Sequence, residues 1–188
     1  MMVNTMELNT KRLTLRPWKE SDAEALYMYA KDPRVGPKAG WAPHKSVEES
    51  LSIIKQLLQG KECYAICLRD AETPIGAIEL MLHEKSDVAA SKDACELGYW
   101  LAYPFWGKGY VPEAAEELLR HGFEDLDMKQ IWCGYYEGNM NSKRVQEKCG
   151  FSYYCTIKDV EVAPLHEKRT RHTTLLKEED WKRLHSKV

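Results

Sequence analysis

The sequence predicts an α/β fold of the α+β type, in which most strands pair antiparallel. Strand-like and helical segments alternate along the chain. Two neighbouring strand-like segments, 64–69 and 74–82, are separated by the short polar turn 70–73 and therefore predict a hairpin. Residues 96–112 then run from a strand through a glycine-containing loop into a helix. At 188 residues the chain is long enough to bury a core, and we expect one domain over residues 1–188.

The first third of the chain predicts one strand and two helices. Residues 11–17 alternate in the pattern of a strand. Ser21 and Glu24 have the spacing of a capping box, which predicts the start of a first helix with Ser21 as its N-cap. Residues 32–44 contain three prolines and two glycines, and they therefore predict a loop. A second amphipathic helix is expected over residues 46–58.

The stretch 96–112 predicts a binding site for an anion. The apolar run 97–102 is typical of a buried strand. Gly107 and Gly109 follow it and allow the backbone to approach a ligand without a β-carbon in the way. Pro112 fits the first turn of a helix, where its missing N–H is not needed. A strand that leads through such a loop into a helix points several free N–H groups at one place, which favours a phosphate.

Two common phosphate-binding motifs do not fit this stretch. A nucleotide P-loop needs a glycine at position 102 and Ser or Thr after Lys108, whereas the chain has Ala102 and Gly109. The dinucleotide-binding fingerprint needs a third glycine at position 112, where the chain has Pro112. The loop therefore predicts a phosphate ligand of a different kind.

The remaining third of the chain predicts a strand, a short helix and a final group of three elements. Residues 129–136 form the strand. The short helix begins near Asn139 and Ser142. For each of them, capping the helix could be its entire role. Gly150 is placed to end that helix in a left-handed conformation. Two more strands and a terminal helix are predicted over 153–162, 167–176 and 178–185.

These motifs resemble the GNAT superfamily of N-acetyltransferases, in particular its RimJ/RimL-type branch. Residues 98–101 (Gly-Tyr-Trp-Leu) and 106–110 (Trp-Gly-Lys-Gly-Tyr) are similar to motif A of that superfamily. Residues 139–142 (Asn-x-x-Ser) and 148–151 (Lys-x-Gly-Phe) are similar to motif B. One departure is Pro104, which stands where the family pattern often has Gln or Arg. The resemblance implies a GNAT fold, with a mixed, mostly antiparallel sheet of six to seven strands and helices on both faces.

The resemblance also implies an activity. A protein of this kind transfers an acetyl group from acetyl-CoA directly to a primary amine, which belongs either to a protein N-terminus or to a small molecule. The alternative is a catalytically weak acyl-CoA-binding or sensing module of the same fold. Gln146 supports this alternative, since many members have a tyrosine there that acts as an acid. The presence of Glu96, Ser142 and Glu161 supports turnover instead.

Two sets of binding residues follow from the resemblance. Trp41 and His44 lie in the region that lines the acceptor pocket in the family, although Trp41 could equally fill the core beneath its loop. The coenzyme-binding set comprises Leu101, Trp106, Gly107, Lys108, Gly109, Tyr110, Val111, Asn139 and Lys143.

Catalysis requires a base, because an alkyl ammonium group must lose its proton before it can attack a thioester. Glu96 at the head of the motif A strand and Glu161 late on the strand after motif B compete for this role. Each could instead be a solvated charge at a strand edge. The resemblance points to Ser142 as the group that hydrogen-bonds or protonates the leaving thiolate.

Composition limits the remaining classes. The chain has 27 Lys and Arg, 29 Asp and Glu and a net charge of −2 without a polybasic cluster, so no direct nucleic-acid ligand is indicated. No apolar run approaches membrane length, and we expect a cytoplasmic protein without membrane association. The six cysteines and six histidines show no metal-binding spacing, which predicts free thiols and no metal, and His121 is expected on a helix surface. Whether the protein is a monomer or a homodimer stays open.

Overall fold

The computed structural model describes residues 6–186. Within them the chain forms a single sheet, whose strands are β1 (Leu8–Asn9), β2 (Leu13–Pro17), β3 (Cys63–Leu68), β4 (Pro74–Leu82), β5 (Ala94–Leu101), β6 (Gln130–Tyr136), β7 (Ser152–Val162) and β8 (Glu167–Lys177). The helices are α1 (Ala23–Ala30), α2 (Gly36–Ala39), α3 (Val47–Ile53), α4 (Tyr110–Arg120), α5 (Met140–Lys148) and α6 (Glu178–His185).

The sheet is mixed and mostly antiparallel, as predicted. Its strand order is β1-β2-β3-β4-β5-β6-β8-β7, and β5 and β6 are parallel while the other neighbours pair antiparallel. The described residues form eight strands, where six to seven were expected. The additional strand is β1, which is only two residues long and pairs Leu8 with Leu15. A segment of that length has too few residues to show the period-two pattern of a strand.

The parallel strands β5 and β6 are paired in their first halves and separate in their second halves. Pairing joins Ala94 to Gln130 and continues as far as Leu97 and Cys133. Both strands extend further, β5 to Leu101 and β6 to Tyr136, beyond the end of that ladder. The connection between them is α4, which is the crossover that a parallel pair requires. The separation opens a cleft in the middle of the sheet.

Helices cover both faces of the sheet, as predicted. On one face the apolar stripe of α4, including the fully buried Leu118 and Leu119, packs on Ile78 and Ile131 in the larger core. Residues of α5 and α6 join this core. On the other face α1 and α3 cover a smaller core that contains Leu26. None of the helices in residues 6–186 combines the length and the apolar character that crossing a membrane requires.

The start of the first helix differs from the prediction. A short 3-10 turn at Glu20–Asp22 precedes α1, so Ser21 is not its N-cap. Asp22 organises this turn instead, because its carboxylate accepts the backbone N–H of Lys19 at 2.8 Å and pairs with Arg16 at 2.8 Å. The second helix begins as predicted, with the Ser46 side chain accepting the N–H of Glu49.

The predicted loop 32–44 contains a short helix, α2. Pro37 lies in its first turn, and Gly40 ends it in the left-handed conformation at a φ of 94°. A β-carbon on Gly36 would lie 2.4 Å from the ring of Trp41, so this helix folds tightly onto the segment that follows it. The prolines and glycines therefore bound a helical turn here rather than exclude one.

His121 is fully buried, so its predicted place on a helix surface was wrong. It follows Leu118 by three residues and therefore belongs to the apolar stripe of α4. Its Nε2 lies 2.8 Å from Glu62 Oε2 and its Nδ1 lies 2.8 Å from Asp125 Oδ2. All six cysteines are free thiols, and five of them are buried.

Candidate active site between β5 and β6

A cleft of about 630 Å³ lies where β5 and β6 separate. Residues from both strands line it, together with residues from α2, the loop before α4, the start of α4, one side of α5 and Arg171 on β8. Side chains of β5 that point to opposite faces of the sheet, such as Leu101 and Trp100, both line the cleft. The cleft therefore passes through the sheet from one face to the other.

The loop before α4 has the geometry of an anion site. Gly107 and Gly109 are in the left-handed conformation, at φ values of 73° and 77°. Gly109 is the N-cap of α4, and no side chain caps the helix there. A β-carbon on Gly107 would meet nothing within 4 Å, so the backbone of this loop is open. The unpaired N–H groups and the positive end of the helix dipole favour a phosphate at this place.

Most of the predicted coenzyme-binding residues of this loop line the cleft. They are Leu101, Trp106, Gly107, Gly109, Tyr110 and Val111. Lys108 does not line it and is exposed, with its Nζ 5.5 Å from the centre of the Phe105 ring.

Arg12 holds the loop from outside, which sequence reasoning missed. Its Nη1 donates to the carbonyl oxygen of Lys108 at 3.0 Å and its Nε donates to Glu113 at 2.6 Å. Burial alone would raise the pKa of Glu113, but hydrogen bonds from Thr10 and Arg12 outweigh it and lower that pKa. Nothing in the local sequence signals this contact, because about a hundred residues separate its partners.

The positive charges on the cleft wall differ from the predicted ones. Lys143 does not line the cleft, and its Nζ lies 3.5 Å from Glu147. Arg144 and Lys148 line it instead, one helical turn apart on α5. Lys38 lines it from α2, with its Nζ 5.2 Å from the centre of the Trp106 ring.

Asn139 caps α5 and also lines the cleft. It is the N-cap of α5, where its side-chain oxygen accepts the N–H of Ser142 at 3.3 Å. It also lines the cleft, and its Nδ2 donates to the carbonyl oxygen of Lys38 at 3.2 Å. This hydrogen bond ties α2 to the start of α5 across the cleft.

Ser142 lines the cleft within a network of polar side chains. Its Oγ lies 2.9 Å from the hydroxyl oxygen of Tyr99 and accepts a hydrogen bond from Gln146 Nε2 at 3.1 Å. The side-chain oxygen of Gln146 in turn accepts the hydroxyl of Thr174 at 2.7 Å. Gln146 is therefore a buried support for Ser142 rather than a proton donor.

Tyr99 supplies the phenol that position 146 lacks. It lines the cleft from β5, next to Ser142. Burial raises the pKa of Tyr99 well above its ordinary value, and hydrogen bonds with Ser142 and Gln146 offset only part of this shift. The phenol therefore keeps its proton at neutral pH. The sequence placed Tyr99 in the buried strand, but the contact with α5 depends on packing that the strand pattern does not encode.

Glu96 lines the cleft and is held from two sides. Only 7% of the residue is exposed. Its Oε1 pairs with Arg171 Nη2, and its Oε2 accepts the hydroxyl of Ser86 at 2.7 Å. The Ser86 hydroxyl accepts the N–H groups of Val88 and Ala89 at 3.2 and 3.1 Å, so its own proton is directed to Glu96. The loop 84–93 thus positions a carboxylate of the cleft.

The structure does not bring Glu161 to the cleft. Glu161 is exposed on β7, opposite Lys168 on β8, and does not line the cleft. A different carboxyl group, that of Glu79, lies on β4 opposite Gly98 of β5. Burial raises the pKa of Glu79, and the charge of Glu96 adds to the effect. Glu79 is the one charged residue in the apolar segment 74–82, and it does not line the cleft.

Trp41 and His44 lie behind the wall of the cleft rather than in it. The ring of Trp41 packs 5.7 Å from that of Trp100, which does line the cleft, and 5.3 Å from that of His44. His44 Nδ1 lies 2.8 Å from the hydroxyl oxygen of Ser50. Burial lowers the pKa of His44, against a smaller opposite effect of Glu49. Within residues 6–186, no group of three or more His, Cys, Asp and Glu side chains is placed to hold a metal ion.

Comparisons with known proteins agree with this geometry. The sequence profile of the family described as "Acetyltransferase (GNAT) domain" matches residues 12–152. The N-acetyltransferase p20 of Bacillus licheniformis is 27% identical over 161 residues, which cover 83% of this chain and 88% of p20.

Two solved structures share the fold. A GNAT-family acetyltransferase from Bacillus anthracis superposes with a TM-score of 0.79 at 22% identity, covering 93% of this chain and 99% of the other. The ribosomal-protein-S5-alanine acetyltransferase of Vibrio fischeri superposes with a TM-score of 0.73 at 20% identity, covering 94% and 99%. The chain belongs to the GNAT family of N-acetyltransferases, for which acetyl-CoA is the implied donor.

Proposed function

We propose that the protein transfers the acetyl group of acetyl-CoA directly to a primary amine inside the cleft between β5 and β6. The observation that carries this proposal is the joint position of three groups on one cleft: the open N-terminus of α4 at Gly109, the carboxylate of Glu96 and the hydroxyl of Ser142. An anion site, a base and a hydrogen-bond donor are the groups that acyl transfer from a phosphate-bearing thioester to an amine requires.

The residues present fit a coenzyme A pyrophosphate at the start of α4. Gly107 and Gly109 leave room there, and the helix end offers N–H donors that no side chain occupies. Arg144 and Lys148 supply positive charge from α5, further along the same cleft. Asn139 also lines the cleft as a polar contact. Lys108 and Lys143, which do not line the cleft, are left out of this set.

Glu96 is the proposed base. When bound, the coenzyme supplies an acetyl thioester whose carbonyl carbon is open to attack by a neutral amine. Glu96 takes the proton from the acceptor ammonium, directly or through water, and is held ready for it by Ser86 and Arg171. Glu161 is exposed on β7 and does not line the cleft, so we assign it no role in proton transfer.

Ser142 and Tyr99 are proposed to stabilise the negative charge that develops on the sulfur of the leaving thiolate. The Ser142 hydroxyl accepts a hydrogen bond from Gln146, which leaves its own proton free for Tyr99 or for the cleft. The phenol of Tyr99 is protonated at neutral pH and can replace a proton that Ser142 gives up. Together they form a donor pair at the point where α5 meets β5.

The acceptor is proposed to be a small-molecule amine or a protein N-terminus. The structural likeness to an acetyltransferase named for ribosomal protein S5 is the reason to include a ribosomal protein among the candidates. The alternative function is coenzyme binding without turnover, and Gln146 at the position of the usual acid is the observation that favours it. Tyr99 argues for turnover, because its phenol is linked to Gln146 through the hydroxyl of Ser142.

The experiment is a panel of amine acceptors with the purified protein, followed by release of free thiol from acetyl-CoA. The panel contains amino acids, amino-acid amides, polyamines and peptides that start with different residues. Thiol release that depends on an acceptor and yields an acetylated amine by mass spectrometry supports acetyl transfer. Tight coenzyme binding by calorimetry with no thiol release from any acceptor would assign the chain to the sensing alternative.

A further inference from the structure

We propose that the acceptor carries a carboxylate close to its amine, as a free amino acid does, and that Arg171 binds this carboxylate. The inference rests on the proposed function, since it names the class of acceptor that the same cleft takes. It begins from the hydrogen bonds of two arginines that are both shielded from solvent.

Arg16 and Arg171 differ in how fully the protein uses their donors. Arg16 donates from both terminal nitrogens, to both carboxylate oxygens of Asp22 and to the carbonyl oxygens of Pro17 and Glu72, and only its buried Nε lacks a partner. Within residues 6–186 the guanidinium of Arg171 has one hydrogen-bond partner, Glu96, although its side chain is only 18% exposed. A guanidinium carries five N–H donors. Within residues 6–186, no Arg171 nitrogen is both buried and without a partner, so its remaining donors reach the solvent of the cleft that it lines. Arg171 therefore has donors to offer to a ligand.

The guanidinium of Arg171 is held on the wall of the cleft. A β-carbon on Gly134 would lie 2.6 Å from its Nε and 2.9 Å from its Nη2, so the group lies against the backbone of β6. Both Gly134 and Arg171 line the cleft. A planar, fixed guanidinium in this position can bind a carboxylate through two parallel hydrogen bonds.

The pairing of Arg171 with Glu96 matches the charges of an amino acid. The Glu96 carboxylate, which is the proposed base, needs the acceptor ammonium beside it, and Arg171 lies in direct contact with that carboxylate. An α-amino acid places its ammonium and its carboxylate on the same carbon, so both groups can reach this pair together. Lys85 and Asp87 add one further charge of each sign to the cleft wall. The N-terminus of a peptide has the ammonium but no adjacent carboxylate, and it leaves the remaining donors of Arg171 without a ligand.

The test compares amino acids with their α-amides, which have the same side chain and the same reactive amine. Acetyl-CoA-dependent thiol release gives kcat/KM for each member of a pair. We expect wild-type protein to prefer the acid by about 10- to 100-fold, the range that a charge-assisted hydrogen bond in a shielded site provides. Equal kcat/KM for acid and amide, or a preference for the amide, would overturn the proposal.

Arg171→Gln separates the binding of the carboxylate from the action of the base. We expect this variant to remove the acid-over-amide preference, and Arg171→Lys to restore part of it through charge alone. The ratio within each pair is the informative readout, because any effect of the variant on Glu96 acts on both members. Arg183→Gln, at an exposed arginine of α6 that pairs with Asp180, is the matched control and should keep the wild-type ratio. A preference that survives Arg171→Gln would contradict the proposal.

A binding measurement keeps this inference distinct from the proposed function. If no amine is acetylated, acetyl transfer fails, and calorimetry with coenzyme A and the same acid and amide pairs then decides the matter. Binding of acids that Arg171→Gln weakens at least about 10-fold would support the anion site without turnover. Binding of acids and amides that does not differ, or that the variant leaves unchanged, would overturn it.

Discussion

The two halves of the cleft are built in different ways. The half proposed to bind the coenzyme, called the coenzyme half, is formed mainly by one continuous segment, residues 101–111, whose backbone and helix end have the geometry of an anion site. The half proposed to bind the acceptor, called the acceptor half, joins residues that are distant in sequence: Ser86, Glu96, Gly134 and Arg171. A site formed by the backbone of one segment can therefore be recognised in the local sequence, whereas a site formed by side chains from distant segments cannot. Variants in the two halves should therefore change different quantities.

The largest effect is expected from Gly109→Asp, which should abolish binding of acetyl-CoA. Aspartate tolerates the left-handed backbone at φ 77° better than most side chains do, so the loss should come mainly from its carboxylate, which repels an anion at the same place. Calorimetry should show affinity lower by at least about 100-fold. Gly109→Asn is the matched control, because asparagine has nearly the same shape, tolerates this conformation and carries no charge. Unchanged affinity in Gly109→Asp would remove the coenzyme half from the proposal.

In the acceptor half, Glu96→Gln should reduce turnover and leave coenzyme affinity almost unchanged. Loss of a general base lowers kcat by about 10²- to 10⁴-fold. Glu161→Gln, at an exposed carboxylate on β7, is the control and should keep wild-type turnover. If Glu161→Gln alone reduced turnover, the base would be misassigned.

Ser142→Ala tests the place where the two halves meet. We expect turnover to fall by about 10- to 100-fold, less than for loss of the base, because Tyr99 remains as a donor. Coenzyme affinity should stay within a few-fold of wild type. Tyr99→Phe, which keeps the ring and removes the hydroxyl, should give a smaller decrease of the same kind. Full activity of both variants in steady-state kinetics would mean that a different group in the cleft protonates the leaving thiolate.

The sequence predicted the coenzyme half better than the acceptor half for a physical reason. Glycine spacing, the strand pattern and the position of Pro112 are local signals, and the structure has the loop and helix where these signals put them. Arg171 and Ser86 meet Glu96 only because β8, the β4–β5 loop and β5 converge. No pattern within one segment encodes that meeting.

Errors in the predicted elements have a similar cause. Residues 32–44 were predicted as a loop because prolines and glycines are usual in loops, yet Pro37 and Gly40 bound the short helix α2. His121 was expected on a helix surface, although its three-residue spacing from Leu118 puts it on the buried stripe. In both places the position of the residue in the pattern, rather than its type, decides the local structure.

The smallest expected effect concerns the far end of α4, just beyond Arg120, where His121 lies between Glu62 and Asp125. Burial by itself lowers the pKa of His121, but hydrogen bonds with these two carboxylates outweigh it and raise the pKa above 6.5. A raised pKa in the folded state means that this stabilisation is fully present below about pH 6.5 and is lost as the pH rises through the folded-state value.

Urea unfolding at pH 6 and pH 8 measures this contribution. The wild type should lose about 1 kcal/mol of unfolding free energy more than His121→Gln does between these two values. Coenzyme affinity should be the same in both proteins, since the affected residue lies a full helix length from Gly109. An equal pH response of the two proteins would mean that folding does not raise the pKa of His121. A change in coenzyme affinity would mean that α4 transmits an effect from its end to its start, and the coenzyme half would then no longer be a purely local site.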